Sequence, residues 1–230
     1  MLEKVLPIGL LAIAVAVGGA GYVALKAPAQ PSASIQAIPV ELQGAPTAET
    51  AGTKIFVIQS GTSTASFSVD EILAGSPNTV VGTTSQVAGQ LALDPMQPDA
   101  AQLGTILVNA RGLVTDDNQR NRMIQNFILS TGNFEYVSFT PTVVNGLPTS
   151  LSLGVEYPLQ ITGQLTIRDV TSDVTFDARV TPVSTTEVRG LARVSISSQA
   201  WGISIPRVPL VASVSDDVRL DLNFVAIAAA

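Results

Sequence analysis

The sequence contains no cysteine and no histidine, and only 13% of its 230 residues are charged. Without cysteine the chain can form no disulfide, no thiolate nucleophile and no cysteine-ligated zinc site. Without histidine it lacks an imidazole base, a histidine ligand for haem and the usual Ser-His-Asp triad. Catalysis would have to depend on carboxylates, Lys, Tyr or backbone groups, and we therefore expect a protein that is not an enzyme.

Basic residues are also scarce, with 12 Lys and Arg against 18 Asp and Glu. Nucleic-acid binding needs clustered Lys and Arg, and so does a polybasic membrane patch. The formal net charge of −6 argues against both. Because the sequence has no Walker loop, no G-x-G-x-x-G motif and no metal-ligand spacing, we expect no cofactor and no metal.

Residues 5–25 form one uncharged stretch of 21 residues. As a helix it would span about 31 Å, roughly the hydrocarbon core of a bilayer. Lys4 and Lys26 flank the stretch, and Tyr22 stands where an interfacial aromatic residue would lie. We therefore predict that residues 1–26 are an N-terminal transmembrane or signal-anchor segment. The alternative is a signal peptide that is cleaved near Ala27, which would release a secreted protein.

Residues 27–53 are rich in Pro, Ala, Ser, Thr and Gly and show no sustained period. This composition is typical of an extended, flexible linker. The order of membrane segment, linker and domain places the domain on the extracytoplasmic side, in the periplasm or at the cell surface. We expect residues 54–230 to form that domain.

Alternation of apolar and polar side chains is the main pattern of the domain. Leu159, Ile161, Leu165 and Ile167 share one parity, and polar residues occupy the other. Successive side chains of a strand point to opposite faces, so residues 157–180 predict a hairpin with one apolar face. Similar runs predict strands at residues 54–59, 64–71, 86–93, 105–111, 135–143, 154–168, 174–181, 186–197 and 219–227.

Turn signals separate these strands: Ser76-Pro77-Asn78, Asp94-Pro95, Asn145-Gly146 and Ser215-Asp216-Asp217. Asn-Gly in particular is typical of tight hairpins. Long alternating antiparallel strands with few helices between them favour an all-β fold that closes, or nearly closes, into a barrel. Such a barrel would enclose an apolar interior, which is the best candidate for a functional site.

One segment has helical periodicity instead. Its apolar residues fall on one helical face, and Asp117 or Asn118 can cap the N-terminus of the helix. We predict a short helix that lies across one mouth of the barrel. The apolar face consists of Met123, Ile124, Phe127 and Ile128.

Several ordered stretches make the chain similar to the YceI-like family of polyisoprenoid-binding, lipocalin-like proteins. The run YPLQITGQLTIRDVTSDVTF resembles the family's L-T-I-R-G-V-T strand pair, and TSQVAGQLALDP resembles its G-x-φ-x-φ-D-P strand. The resemblance covers residues 54–230, through the stretches 65–72, 84–95, 104–129, 157–176 and 197–226.

The resemblance implies an extended, antiparallel, eight-stranded, lipocalin-like barrel with a long apolar tunnel. It also implies a polyprenyl chain inside, such as that of an isoprenoid quinone or polyprenyl phosphate. The sequence departs from the family's R-D-x-H-L run, because Asn121 and Met123 replace the acidic residue and the histidine. Asp169 replaces the glycine that follows L-T-I-R. These departures affect polar contacts and leave the apolar interior intact.

The candidate ligand-binding residues come mainly from the inward parity of the strands, where ordinary core packing is the alternative for each of them. The helix adds Met123 and Phe127, which we expect at the tunnel mouth. Arg120 could face a ligand head group or form a surface salt bridge, and Trp201 could contact ligand or plug one barrel end. The strand candidates are Phe67, Val69, Leu91, Leu93, Val108, Leu165, Ile167, Phe176, Val194, Ile196, Leu222 and Phe224.

Two functions follow from these observations. The first is non-catalytic binding or carrying of an isoprenoid lipid by a membrane-anchored, extracytoplasmic barrel. The second is a tethered structural or interaction domain whose interior is filled by its own side chains. A homodimer is compatible with either. An enzyme would need Asp, Glu, Tyr or Lys side chains to converge in one cleft. Asp70 and Glu71 cannot do so, because neighbouring residues of a strand face opposite sides.

Overall fold

The computed structural model describes residues 27–37, 52–205 and 211–229. Within these residues no helix is long and apolar enough to cross a membrane. The predicted membrane segment, residues 1–26, lies outside the described residues, and so does the larger part of the predicted linker.

The domain is an all-β structure, built from antiparallel strand pairs and one short helix. The described residues contain twelve strands that form a single curled, barrel-like sheet. The strands are β1 (Lys54–Ile58), β2 (Thr64–Leu73), β3 (Ser76–Thr84), β4 (Val87–Ala88), β5 (Gln90–Asp94), β6 (Gln97–Leu103), β7 (Ile106–Asn109), β8 (Tyr136–Asn145), β9 (Tyr157–Ile167), β10 (Val170–Pro182), β11 (Glu187–Ser197) and β12 (Val211–Ala228).

The strand order is β4-β7-β8-β9-β10-β11-β12-β1-β5-β6, with β2 paired to both β12 and β3. Only Gly89 separates β4, at one end of this order, from β5, near the other end. The segment 87–94 therefore pairs with β7 through Val87 and with β1 through Leu91. The two sides of the curled sheet thus meet on one stretch of backbone.

The predicted count of eight strands was wrong, since the described residues contain twelve strands and three extended stretches are interrupted. Gly61, with φ of +92°, lies in the turn that separates β1 from β2, although both strands pair with β12. Gly89 separates β4 from β5, and Gly104 lies between β6 and β7. Glycine inside an extended run weakens the strand and allows such breaks and bends.

The predicted turns had mixed outcomes. Asp94-Pro95 is a turn, as expected. Ser76-Pro77-Asn78 begins β3 instead, and the turn before it is Ala74-Gly75, where both residues have positive φ. Asn145-Gly146 is not a tight hairpin, because residues 146–156 intervene before β9 begins at Tyr157. Residues 215–217 form an irregularity within β12, between the paired Val214 and Val218.

The predicted helix is present at one end of the sheet. It comprises α1 (Asn118–Met123) followed by a π-helical turn at Ile124–Ile128. Asp117 caps it, as one of the two predicted caps, because its carboxylate accepts a hydrogen bond from the Arg120 N–H at 2.7 Å. Two short 3₁₀ helices, Ala110–Gly112 and Ser198–Trp201, lie at the same end. We call this end of the domain the helix end.

Two glycines lie beneath aromatic rings on the inner face of the sheet. Gly82 is paired across strands with Phe67, and Gly190 is paired with Phe224. A Cβ atom on Gly82 would lie 2.1 Å from the Phe67 ring, and one on Gly190 would lie 2.5 Å from the Phe224 ring. The rings therefore lie close against the backbone, which leaves space in the middle of the domain.

Candidate ligand-binding cavity

The interior of the curled sheet is a cavity of about 890 Å³. Its wall is almost entirely hydrocarbon because the apolar parity of most strands faces it. On β9 the wall comprises Leu159, Ile161, Leu165 and Ile167. Phe139 and Phe176 extend the wall from β8 and β10, and their rings meet edge to face with centroids 4.8 Å apart.

Thirteen of the sixteen predicted site residues line this cavity. Eleven of them lie on strands, where alternation directs one parity of side chains to the interior, and Arg120 and Met123 lie on α1. Their contact with a ligand stays a prediction. These residues are Phe67, Val69, Leu91, Leu93, Val108, Arg120, Met123, Leu165, Ile167, Phe176, Ile196, Leu222 and Phe224.

Phe127 does not line the cavity, and the π-helical turn explains the error. The Leu129 N–H bonds to the Ile124 carbonyl, five residues back, which adds one residue to the turn. The face directed at the cavity is thereby displaced along the chain. Ile128 and Leu129 occupy it instead of Phe127 and Ile128.

Val194 and Trp201 do not line the cavity either. Val194 is half-buried and packs against the core cluster. Trp201 is buried within that cluster, and its indole Nε1–H donates to the Leu165 carbonyl at 3.2 Å. The indole ring thus packs in the core against β9 and does not line the cavity.

Sequence reasoning missed a second set of wall residues. Leu147, Pro148 and Leu151 line the cavity from the connection between β8 and β9, which lacks periodicity. The apolar run GLPTSL was the available signal. Ile161 and Ala192 also line it, and extending the parity of Leu165 and Ile196 would have identified them.

Charged wall groups lie together at the helix end. The Arg120 Nη1 is 2.6 Å from Asp116 Oδ1, and its Nη2 is 3.6 Å from Glu71 Oε1. Glu71 is buried at 8% exposure and accepts a hydrogen bond from Asn78 Nδ2 at 2.9 Å. Arg120 therefore lines the cavity and also forms salt bridges, and its contact with a ligand head group stays a prediction.

Asp70 and Glu71 face opposite sides of β2, as predicted. The Asp70 carboxylate is exposed and accepts a hydrogen bond from the Thr79 hydroxyl at 2.6 Å. Glu71 faces the cavity. The pair therefore cannot act together on one substrate.

Part of the predicted linker contacts the domain near the helix end. The Ser32 N–H and hydroxyl donate to the two carboxylate oxygens of Glu135, at 2.8 and 2.6 Å. Arg111 Nη1 donates to Ser32 Oγ at 2.7 Å and to the Gln30 carbonyl at 3.2 Å, and it lies 2.8 Å from Glu135 Oε2. We call residues 27–37 the docked segment.

Glu135 has a lowered pKa in this network. Burial raises the pKa of its carboxyl, but hydrogen bonds from Ser32 and Asn109 and the charge of Arg111 outweigh burial. The net effect holds the pKa below its ordinary value. Glu135 is not part of the cavity wall. Within the part of the chain that the structure describes, no cluster of Asp and Glu could hold a metal ion.

A model of the YceI-like domain matches residues 56–226 of the sequence. None of the curated proteins matches the sequence. Among solved structures, a polyisoprenoid binding domain from Saccharophagus degradans is similar, with a TM-score of 0.59 and 10% identity. That similarity covers 76% of this chain and 98% of the other.

Burkholderia cenocepacia BcnA is also similar, with a TM-score of 0.56 and 15% identity over 73% of this chain and 98% of that one. The Campylobacter jejuni YceI protein has a TM-score of 0.51 and 16% identity, over 65% and 84% of the two chains. At these identities the structures share a fold with this chain.

Proposed function

This chain belongs to the YceI-like family, and we propose that it binds an isoprenoid lipid in the cavity of its barrel-like domain. The proposal includes no catalytic step. The ligand's polyprenyl chain would lie along the wall formed by residues such as Leu165, Phe176 and Leu222. The observation that carries the proposal is the nearly continuous hydrocarbon wall of the cavity.

The size and chemistry of the cavity support a long apolar ligand. Its volume of about 890 Å³ falls within the range of roughly 300–1,000 Å³ that is typical of small-molecule sites. Each CH₂ group moved from water to such a wall contributes about 0.8 kcal/mol. A polyprenyl chain can therefore be held without any polar anchor.

The similarity to a polyisoprenoid binding domain supports the same class of ligand. A shared fold alone does not determine a ligand, so the residues of the cavity have to justify it. Here the wall is formed by the branched aliphatic and aromatic side chains that a methyl-branched isoprenoid chain would contact.

We further propose that the domain works at the extracytoplasmic side of a membrane, held by residues 1–26. The uncharged stretch 5–25 and its flanking lysines support this placement. An isoprenoid lipid resides in membranes, so a binding domain next to one has direct access to its ligand. The alternative, a structural domain with a filled core, does not account for the large cavity.

The experiment is native mass spectrometry of the full chain, purified in mild detergent from its own membranes, followed by titration with geranylgeraniol. We expect a co-purified isoprenoid adduct. We also expect the titration to quench the fluorescence of Trp201, the single tryptophan, because its indole is bonded to the carbonyl of wall residue Leu165. Lipid-free protein that also fails to take up geranylgeraniol would contradict the proposal.

A variant that fills the cavity sharpens the test. Ala192 is buried and lines the cavity, so Ala192→Phe should weaken geranylgeraniol binding by at least about tenfold, since several CH₂ contacts are lost. Val81→Phe is the matched control, because Val81 is 45% exposed and lies outside the cavity wall. Thermal unfolding of both variants identifies any loss of fold.

A further inference from the structure

The cavity has one cation among the described residues of its wall, and that cation is already paired. Arg120 is the cation, and its two Nη atoms are directed at Asp116 and Glu71. Asp117 lines the same end and caps α1 through the Arg120 N–H. Two carboxylates thus contact the guanidinium at the helix end, and a third, that of Asp117, lies against the backbone of the same residue.

Among the other described residues of the wall, none is positively charged. Asp221 also borders the cavity, but its carboxylate lies with Arg193 and Arg219. These two arginines are not part of the wall. At the opposite end the polar residues that the structure describes in the wall are neutral. Tyr157 accepts a hydrogen bond from the Ser152 N–H at 2.8 Å, and Gln102 is uncharged.

This distribution of charge disfavours an anionic head group at either end. Proteins bind phosphate with free Arg or Lys side chains or with clustered backbone N–H groups. A phosphate here would meet the exposed carboxylate of Asp117 and the buried carboxylate of Glu71. The repulsion from Glu71 is the stronger of the two, because little water screens a buried charge. Arg120 cannot offset this repulsion without giving up its own carboxylate partners.

We infer that the ligand of this cavity is an isoprenoid with an uncharged head group, such as an alcohol or a quinone, and not a polyprenyl phosphate or diphosphate. This inference rests on the proposed function. A neutral hydroxyl or carbonyl oxygen can accept a hydrogen bond from Gln119 or Arg120 at the helix end without adding charge there.

The test compares two ligands that share a twenty-carbon tail, geranylgeraniol and geranylgeranyl diphosphate, on the full chain in a neutral detergent. The alcohol should bind at least about a hundredfold more tightly, because two nearby carboxylates each repel the diphosphate. Equal affinities, or tighter binding of the diphosphate, would overturn the inference and leave the proposed function standing. Binding of neither ligand would overturn both.

A variant without the Glu71 charge tests whether this carboxylate is the group that discriminates against the diphosphate. Glu71→Gln should raise the affinity for the diphosphate relative to the affinity for the alcohol by about tenfold or more. Asp70→Asn is the matched control, because this neighbouring carboxylate is exposed on the other face of β2. If both variants change the diphosphate affinity equally, net charge rather than the cavity explains the discrimination, and the inference is wrong.

Discussion

The carboxylate of Glu135 joins the docked segment to the domain through several hydrogen bonds and an ion pair. It accepts hydrogen bonds from Ser32, which is 103 residues away in the sequence, and from Asn109. It also forms an ion pair with Arg111, and both side chains are largely buried. A charged acceptor makes stronger hydrogen bonds than a neutral one, so ionisation of Glu135 should decide whether the docked segment stays in place.

We predict that acid releases the docked segment. Because the pKa of Glu135 in the folded state lies below its ordinary value of 4.5, its contribution to docking is complete above that pH. The contribution is lost as the pH falls through the lower, folded-state pKa. The amide resonance of Ser32 in NMR spectra should therefore shift on acidification below about pH 4.5.

The matched variants for this titration are Glu135→Gln and Glu156→Gln. Glu135→Gln should abolish the acid transition of the Ser32 resonance. Glu156, which pairs with Arg179 and is half exposed, should be replaceable without effect. A transition that persists in Glu135→Gln would assign the pH dependence to another group.

At the residue scale, the sequence predicted inward-facing strand residues well. Successive side chains of a strand point to opposite faces, so a two-residue repeat in the sequence identifies the residues that share one face. Leu165 and Phe224 are examples, and both line the cavity. Phe127 could not be predicted, because the π-helical turn depends on packing across the sheet mouth and not on the local pattern.

At the element scale, cross-strand pairs of glycine and phenylalanine shape the cavity. Phe67 lies over Gly82, between β2 and β3, and Phe224 lies over Gly190, between β11 and β12. Phenylalanine packed against a glycine covers the backbone while its ring stays close to the sheet. The aromatic surface then forms the wall rather than filling the interior.

We predict that Gly82→Ala destabilises the domain. The new Cβ would lie 2.1 Å from Phe67 Cε1, so the ring has to move into the cavity at a cost of about 1–3 kcal/mol in the free energy of unfolding. Denaturant unfolding of the full chain measures this. Phe67→Leu in the same chain should recover most of the loss, because the shorter side chain no longer meets the Cβ atom.

Gly132→Ala is the control for this substitution. A Cβ at Gly132 would meet nothing within 4 Å, so its effect on unfolding should be small. Gly82→Ala without a loss of stability, or a loss that Phe67→Leu does not reduce, would contradict the packing argument.

Elements with clear alternation were predicted, and two others were not. β3 was missed because Ser-Pro-Asn is a common turn sequence, yet Pro77 pairs with Ile72 near the start of the strand. β6 has the sequence QPDAAQL, which lacks alternating apolar residues. Its pairing with β5 makes it a strand, and pairing across the sheet is not encoded in the local sequence.

At the scale of the whole molecule, the volume of the cavity should limit the chain length of the prenol that it binds best. In a series of prenols with growing chains, affinity should rise by at least about tenfold per isoprene unit, since each buried CH₂ adds to binding. The gain should stop once the cavity is full. Competition against a fluorescent prenol gives these affinities.

The cavity-filling variant provides the control. In Ala192→Phe the affinity should level off at a shorter chain than in the unmodified protein, because less volume is available. Affinity that does not change along the series would contradict burial of the chain inside the domain.

The antiparallel, barrel-like architecture could be predicted from alternation, and its strand count could not. Glycines at 61, 89 and 104 lie where extended stretches are interrupted. Other glycines, such as Gly163, lie inside unbroken strands. Whether a glycine ends a strand depends on the partners that the curled sheet brings to it.

The docked segment also limits the distance between the domain and the end of the uncharged stretch 5–25. Four residues separate Leu25, the last residue of the uncharged stretch, from Gln30, whose carbonyl is bonded to Arg111. Even fully extended, these five steps along the backbone reach about 18 Å at most. As long as this contact holds, the covalent chain alone limits the separation between Leu25 and the Gln30 carbonyl at the helix end to that reach.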